Sequence, residues 1–372
     1  MNKKLRIAII GSRGYPYVYS GYETLVKELA ERLVLKGHCV RVYCHSSLFK
    51  KKPKIINGIE LIYTPSIETK FLSQFVNSFF SFFHVCFSSI DIVLVLNSAN
   101  GPFGILTKIF RKKTLINVDG LEWMRPKWKG LGSLYFKFSS KLVAIFYDRI
   151  ITDSYEMNKI FKKIYRRDSY IIAYGSTMVQ TKKKHILEKF NIKKREYYLI
   201  VGRLIPDNNS KLILNGFLKS NSSKKFVIVG DVLYRDMYAE QIKKLASNNV
   251  IFTGYINCQS ELTQLYKYSY AYVHGHEFGG TNPTMINALH LNCNIIALDS
   301  IFNREMTKNK KVIFFKKNIK NIKEKFSEME KTYEKIKKIN SNYKLSEIYK
   351  WDGITDSYLN QFIDLISTAK NI

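Results

Sequence analysis

Gly279-Gly280-Thr281-Asn282 is the stretch of this sequence best suited to receiving an anion. It follows a β-type run ending at Ala271–Val273 and precedes Pro283–Leu291, where Met285, Ala288 and Leu289 recur at helical spacing. Pro283 suits the first turn of a helix, where its missing N–H would have no partner. The loop would then hold backbone N–H groups at a helix N-terminus, and its glycines would let a phosphate come close. Read alone, the same residues equally describe an ordinary βα turn that uses glycine for its dihedrals.

Two further residues have suitable chemistry. Arg203 follows the apolar run Tyr197–Val201, and its planar fork matches a diphosphate. Position alone equally allows it a surface salt bridge. Asp119 closes the run Thr114–Val118, beside Gly120 and the pair Glu122–Trp123. A carboxylate there would lie at the carboxyl end of a strand, where open parallel sheets bind ligands. Asp-Gly is also common turn chemistry, the simpler reading for Asp119 by itself. His274 and His276 read first as structural residues beside the glycine loop. The sequence has no spacing typical of a metal-ligand cluster, and no metal residue is assigned.

The elements that must position these residues are α/β in pattern. Strand-like runs recur at Leu5–Ile10, Val40–Cys44, Ile59–Tyr63, Ile92–Leu96, Thr114–Val118, Arg149–Asp153 and Ser169–Ala173. They restart at Tyr197–Val201, Lys225–Gly230, Val250–Gly254, Ala271–Val273 and Ile295–Leu298. Helical patterns between them favour parallel sheets. The first run leads into Gly11-Ser12-Arg13-Gly14-Tyr15-Pro16, then Ser20-Gly21-Tyr22-Glu23-Thr24 and a helix with Leu25, Leu29 and Leu33 on one face. That loop fits neither G-x-G-x-x-G nor G-x-x-x-x-G-K-[ST], so a nicotinamide cofactor is weakly supported and a P-loop is excluded. A chain of 372 residues favours two domains. The expected boundaries are 1–175 for the first domain, 176–195 for a Lys-rich linker, 196–350 for the second domain, and 351–372 for a final helix. That helix carries Ile354, Tyr358, Phe362 and Ile366 at four-residue spacing, suited to packing on the first domain.

The formal charge is +30. Such a field attracts anions. No continuous basic arm with interleaved aromatics is present, which disfavours nucleic acid against an anionic membrane surface and phosphorylated substrates. The five scattered cysteines read as reduced, buried thiols in a cytosolic setting. The N-terminus runs straight into the first strand, without the pattern of a signal peptide. Phe71–Ile90 is very apolar but carries a polar stripe through Gln74, Asn77, Ser78, Ser81, His84 and Ser88. This describes a buried or interfacial helix rather than a spanning one, with a Phe-rich face able to rest on a bilayer.

Taken together, GSRGYP and SGYET at Gly11–Thr24, NVDGLEW at Asn117–Trp123, VGRLIPDNN at Val201–Asn209, GHEFGGTNPTMINAL at Gly275–Leu289 and WDGITDSY at Trp351–Tyr358 carry a resemblance across most of the chain. The sequence resembles bacterial glycosyltransferases of the GT-B fold, family 4 of the retaining enzymes, nearest the rhamnosyltransferase branch of capsule and O-antigen assembly. The resemblance implies two Rossmann-like, doubly wound domains facing a cleft, with the last helix crossing back to the first domain. It implies transfer of rhamnose or another hexose from a dTDP-, UDP- or GDP-linked sugar to a lipid-pyrophosphate-linked saccharide, peripherally at the inner face of the cytoplasmic membrane. It also implies front-face, metal-independent chemistry with no cofactor, the nucleotide sugar being a substrate.

By resemblance Arg203 binds the leaving diphosphate, and the N–H groups of Gly279, Gly280, Thr281 and Asn282 form the phosphate-binding turn. Gly14, Gly21 and Asp119 belong to loops on the acceptor side; Gly14 and Gly21 also count toward the donor site, and Asp119 joins Arg203 as a catalytic candidate. The sequence departs from the family in two places. The family's two glutamates, with seven residues between them, fall on Gly279 and Asn287. Asn287 can accept from one ribose hydroxyl and donate to the other, and nearby Glu277 stands as a substitute sugar contact. The lysine after the family's Gly-Arg is replaced by Asn208, with Lys211 close by. Two rivals remain: a nucleotide-sugar 2-epimerase, which would form product without acceptor, and a non-catalytic basic protein that binds membrane surfaces but no nucleotide.

Overall fold

The computed structural model describes residues 4–16, 21–67, 69, 72–118, 120–126, 128, 130–179, 181, 185–232 and 235–368. The chain forms two compact units. The first comprises Met1–Met124, Trp128–Gly175 and Glu347–Ile372; the second comprises Ser176–Ser346 together with Arg125–Lys127.

The first unit contains strands β1 (Arg6–Ile10), β2 (Cys39–His45), β3 (Ile55–Ile56), β4 (Ile59–Thr64), β5 (Ile92–Leu96), β6 (Thr114–Asn117), β7 (Arg149–Thr152) and β8 (Tyr170–Ile171). They lie in the order β3-β4-β2-β1-β5-β6-β7-β8, and all described pairs are parallel except β3 with β4. Ile9 sits in register with Val42 on one side and Leu94 on the other. Strands buried on both faces read as unbroken apolar runs, which is why β1 and β5 were plain in the sequence. The run Ser169–Ala173 yields only β8, whose two residues are exposed at the sheet edge.

Helices α1 (Gly21–Leu35), α2 (Leu72–Cys86), α3 (Gly104–Ile109), α4 (Leu131–Phe146) and α5 (Tyr155–Tyr165) connect these strands. On α1 the Leu25, Leu29 and Leu33 stripe is buried, as its spacing requires. On α2 the usual pattern is partly inverted. Ser73, Asn77, Ser78 and Ser81 are buried, while Phe75, Phe79, Phe80 and Phe83 are exposed. The inward stripe is hydrogen-bonded: Asn77 Nδ2 donates to Thr64 Oγ1 at 2.7 Å, and Thr64 Oγ1 pairs with Ser81 Oγ at 2.9 Å. These partners offset part of the cost of burying such groups, although Asn77 Oδ1 has none among the described residues. No described helix is long and apolar enough to cross a membrane.

The second unit contains β9 (Tyr197–Val201), β10 (Lys225–Val229), β11 (Val250–Gly254), β12 (Ala271–His274), β13 (Ile295–Leu298) and β14 (Ile313–Phe315). Its sheet is parallel, in the order β11-β10-β9-β12-β13-β14. The direction of strand addition therefore reverses between β9 and β12, the crevice where doubly wound sheets bind ligands. Helices α6 (His185–Lys189), α7 (Ser210–Leu218), α8 (Met237–Lys243), α9 (Gln259–Tyr268), α10 (Pro283–His290), α11 (Ile301–Met306) and α12 (Ile319–Ile339) complete it. Under α7 and α12, Phe217 and Phe226 have ring centroids 4.7 Å apart, and Tyr198 and Phe326 are 4.8 Å apart. The Lys-rich stretch after Gly175, expected as a linker, carries α6, whose Ile186 and Leu187 are buried beside α9. Two apolar residues among lysines were enough to fold it into the second unit.

The last helix, α13 (Trp351–Thr368), belongs to the first unit. Ile354, Tyr358, Phe362 and Leu365 are buried, and Tyr358 Oη accepts a 2.7 Å hydrogen bond from Asn117 Nδ2 at the end of β6. Arg32 on α1 pairs with Asp352 at 3.0 Å. The chain thus returns to its first half, as the GT-B expectation required.

Candidate active site

The loops after β9 and β12 lie side by side because parallel neighbours end at the same edge. The first, Gly202–Asn209, contains a 3₁₀ turn at Pro206–Asn208, and Asn209 adopts a left-handed conformation. Its side-chain amides fasten it. Asn208 Nδ2 donates to the Arg203 carbonyl at 2.8 Å, while Asn208 Oδ1 lies 2.9 Å from His276 Nδ1. Asn209 Nδ2 donates to the Gly275 carbonyl at 2.8 Å. From α11, Asn303 Nδ2 donates to the carbonyls of His276 and Leu298 at 3.1 and 2.9 Å. Asparagine amides therefore tie together the loops after β9, β12 and β13.

Within this frame Arg203 is half-buried, and its guanidinium makes no hydrogen bond or ion pair among the described residues. A half-buried cation held on a fastened loop without a protein anion is poised for an external one. Gly279 has φ +133°, a conformation that favours glycine. The N–H groups of Gly279 and Gly280 carry no hydrogen bond among the described residues. Thr281 is buried. Asn282 caps α10: its Oδ1 accepts from the Thr284 N–H at 3.0 Å and the Thr284 hydroxyl at 2.7 Å. Its own N–H points at Met306 Sδ, 3.3 Å away, a weak acceptor. Gly279 and Gly280 thus have N–H groups to offer an incoming anion, with Asn282 fixing the helix start after them.

Glu277 pairs with Lys317 at 2.7 Å and lines an open cavity of about 410 Å³ with Leu298, Asp299, Ser300 and Lys316. Asn287 is buried, and its Oδ1 accepts from Ser176 Oγ and the Thr177 N–H, both at 3.1 Å. Its carbonyl is therefore engaged by the segment following Gly175, which any ribose contact would have to share. Lys211 Nζ donates to Gln241 Oε1 of α8 at 2.8 Å in an exposed position.

Arg125 and Asp207 escaped sequence reasoning. Arg125 is 6% exposed, its Nη1 lies 4.0 Å from Asp207 Oδ2, and Asp207 is fully buried. The His276 imidazole is held well below its ordinary range, first by burial and then by the charges of Arg125, His274 and Arg203. Arg125 lies 78 positions before Arg203, and no spacing in the sequence joins them.

Burial pushes the His274 pKa down to about 3, and Tyr272 Oη lies 2.9 Å from its Nδ1. Both histidines are neutral when folded. The unfolded chain binds more protons below a pH of about 6.5. Stability from this pair is therefore full above that pH and is lost as pH falls toward about 3. The melting temperature is expected to drop between neutrality and pH 4, each histidine adding up to about 1.4 kcal/mol per pH unit. His274→Gln should flatten that slope; an unchanged slope in thermal melts would remove His274 from this account.

In the first unit, the loop after β1 is also tightly built. Gly14 has φ +122°, and a Cβ there would lie 2.7 Å from Cys44 Sγ. Gly21 opens α1. The Arg13 N–H donates to Glu23 Oε1 at 2.9 Å, and Glu23 is buried. Asp119 lies outside the described residues. Nearby Glu122 accepts from Trp128 Nε1 at 2.7 Å. Among the described residues, no group of three or more His, Cys, Asp or Glu side chains is arranged to hold a metal ion.

Residues 182–345 match the family described as glycosyl transferases group 1, and residues 88–177 match a domain of unknown function, DUF1972. No curated protein matches the sequence. Among solved structures, the chain is similar to sucrose-phosphate synthase from Thermosynechococcus elongatus, with TM-score 0.80 and 12% identity over 98% of this chain and 100% of that one. It is similar to Anabaena Alr3699/HepE in complex with UDP-glucose, with TM-score 0.75 and 12% identity over 98% and 100%. WaaG, a glycosyltransferase involved in lipopolysaccharide biosynthesis, gives TM-score 0.70 and 14% identity over 94% and 98%. The fold is GT-B. The family match over the second unit and this GT-B fold together support a glycosyltransferase.

Proposed function

We propose that this protein transfers a sugar from a nucleoside-diphosphate sugar to a lipid-linked saccharide, retaining the anomeric configuration, in surface-polysaccharide assembly. The observation that carries the reading is Arg203: a half-buried guanidinium without a protein partner, at the strand-order reversal it shares with the Gly279–Gly280 turn. Negative charge grows on the diphosphate as the glycosidic bond breaks. Fixed N–H dipoles and a fixed cation stabilise that charge without reorganising. In this reading Gly279, Gly280 and Thr281 hold phosphate oxygens, and Asn282 keeps the helix start in place. Glu277, with its cavity, receives sugar hydroxyls. Asn287 contributes to ribose binding while anchoring Ser176–Thr177. Gly14, Gly21 and Asp119 serve the acceptor side. UDP-glucose in the Alr3699/HepE structure and the lipopolysaccharide role of WaaG support a nucleotide-sugar donor and a surface-glycan product. The resemblance favours rhamnose or another hexose as the sugar.

The deciding experiment is calorimetric titration of dTDP, UDP and GDP into the full chain at one fixed salt concentration, with Arg203→Ala in parallel. Selective binding of one nucleotide, lost in the variant, is expected and would name the base of the donor. Failure of all three to bind would overturn the reading.

A further inference from the structure

The three helices α2, α3 and α4 of the first unit expose apolar side chains along their lengths. On α2, Phe75, Phe79 and Phe83 follow one another at four-residue spacing, and Phe87 continues the row just past the helix end. Phe83 is 56% exposed and Phe87 65% exposed. The row passes to α3 through ring contact: Phe87 and Phe110 have centroids 4.9 Å apart, and Ile109 beside them is exposed. From α3, Lys108 Nζ donates to the Ile145 carbonyl at 3.3 Å, joining the C-terminal end of α4. Along α4, Leu131, Leu134, Phe138 and Ile145 are all exposed.

The serines and Asn77 of α2 do not solubilise this face, because they are turned inward. A water-facing helix turns its phenylalanines inward; α2 keeps only Phe82 inside, beside Val85, Cys86 and its hydrogen-bonded serines and Asn77, and turns Phe75, Phe79, Phe80 and Phe83 outward. The charges on the helices of this face have one sign. Residues 72–118 contain a single acidic residue, Asp91, and α2, α3 and α4 contain none. Lys108, Arg111, Lys137 and Lys141 are exposed along α3 and α4. Aromatic side chains among cations, with no carboxylate on the same helices, complement an apolar interior beneath an anionic surface. A two-fold pairing of this face with a second copy would set these cations against like charges, which opposes such a dimer.

We propose that the α2–α3–α4 face is a docking surface for an anionic lipid bilayer, with the phenylalanine row lying at the headgroup–acyl boundary and the lysines meeting lipid phosphates. The proposal shares with the sugar-transfer reading only the expectation of a lipid-borne acceptor, and its test uses no nucleotide. The full chain is sedimented with large unilamellar vesicles of phosphatidylcholine, with and without phosphatidylglycerol. Tighter binding to the anionic vesicles is expected, by about tenfold or more, since each cation near such a surface adds a comparable increment. Phe83→Ser with Phe87→Ser should lower that binding by about tenfold, as the rings leave the interface. Lys137→Gln with Lys141→Gln should abolish the preference for anionic lipid. Both pairs are exposed, so circular dichroism should remain unchanged. Absence of vesicle binding by the wild type, or equal binding by the Phe pair, overturns the proposal. So does a dimer in sedimentation velocity that the Phe pair dissolves while vesicle binding persists. Vesicle binding of the expected kind supports this proposal even where the separate nucleotide titration fails and sinks the sugar-transfer reading.

Discussion

Arg203→Ala is expected to slow sugar transfer by about 100-fold or more while leaving the fold intact. The rate effect follows from removing one fixed cation from the site of growing negative charge, a change worth about 100- to 1,000-fold for a single donor in comparable sites. The intact fold follows from the absence of any protein partner for the guanidinium: its removal breaks no pair and orphans no buried acceptor. Nucleotide affinity should fall by about tenfold or more, the scale of a charge-assisted hydrogen bond. Arg203→Lys should recover part of the affinity, because an ammonium keeps the charge but loses the bidentate fork. Transfer rates of wild type and both variants, with thermal melts, form the test. A wild-type rate in Arg203→Ala would remove this residue from the mechanism.

Gly275→Ala is expected to damage the same site from beneath. A Cβ at Gly275 would lie 2.2 Å from the Asn208 carbonyl oxygen and 2.5 Å from Ile213 Cδ1. The first neighbour is backbone and cannot swing aside. Asn208 also holds the Arg203 carbonyl, and Asn209 holds Gly275 itself. A displaced Asn208 therefore carries the Arg203 loop with it. Overpacking of this kind costs about 1–3 kcal/mol, and nucleotide affinity should fall together with the melting temperature. Gly353→Ala is the matched control. Its Cβ would meet only Glu347 O, at 3.8 Å, within α13, where alanine favours the helix by about 1 kcal/mol. Equal melting temperatures and nucleotide affinities for wild type and Gly275→Ala would show that the loop yields more easily than its contacts imply.

The sequence made some parts of this molecule plain and concealed others, for physical reasons. β1, β5, β9 and β12 are buried on both faces, so each is a run of apolar residues that needs no partner to be recognised. Gly279, Pro283 and Asn282 act through local geometry, and local geometry is what a short motif encodes. The direction α2 faces was not encoded locally. A polar stripe on an apolar helix is the same pattern whether the stripe looks out or in, and only Thr64 and Cys44 on neighbouring strands decide it. Asn287 is a similar case: its partners Ser176 and Thr177 lie more than a hundred positions away. Arg125 gave no signal, since an arginine before a proline is unremarkable until the fold sets it against Asp207.

The return of α13 to the first unit has a consequence for how the chain is made. On a ribosome the first half emerges early, but the surface that accepts Trp351, Tyr358 and Phe362 waits for residues synthesised after the whole second unit. Ser176–Ser346 is nearly continuous in the chain and can close its own core as it emerges. The amino-terminal half would remain open beside α1 and at the end of β6, with Asn117 lacking Tyr358, until α13 has been translated. Synthesis order and completion order are thus reversed: the half translated second is finished first. That interval, rather than the finished molecule, is when this chain would lean most on a chaperone.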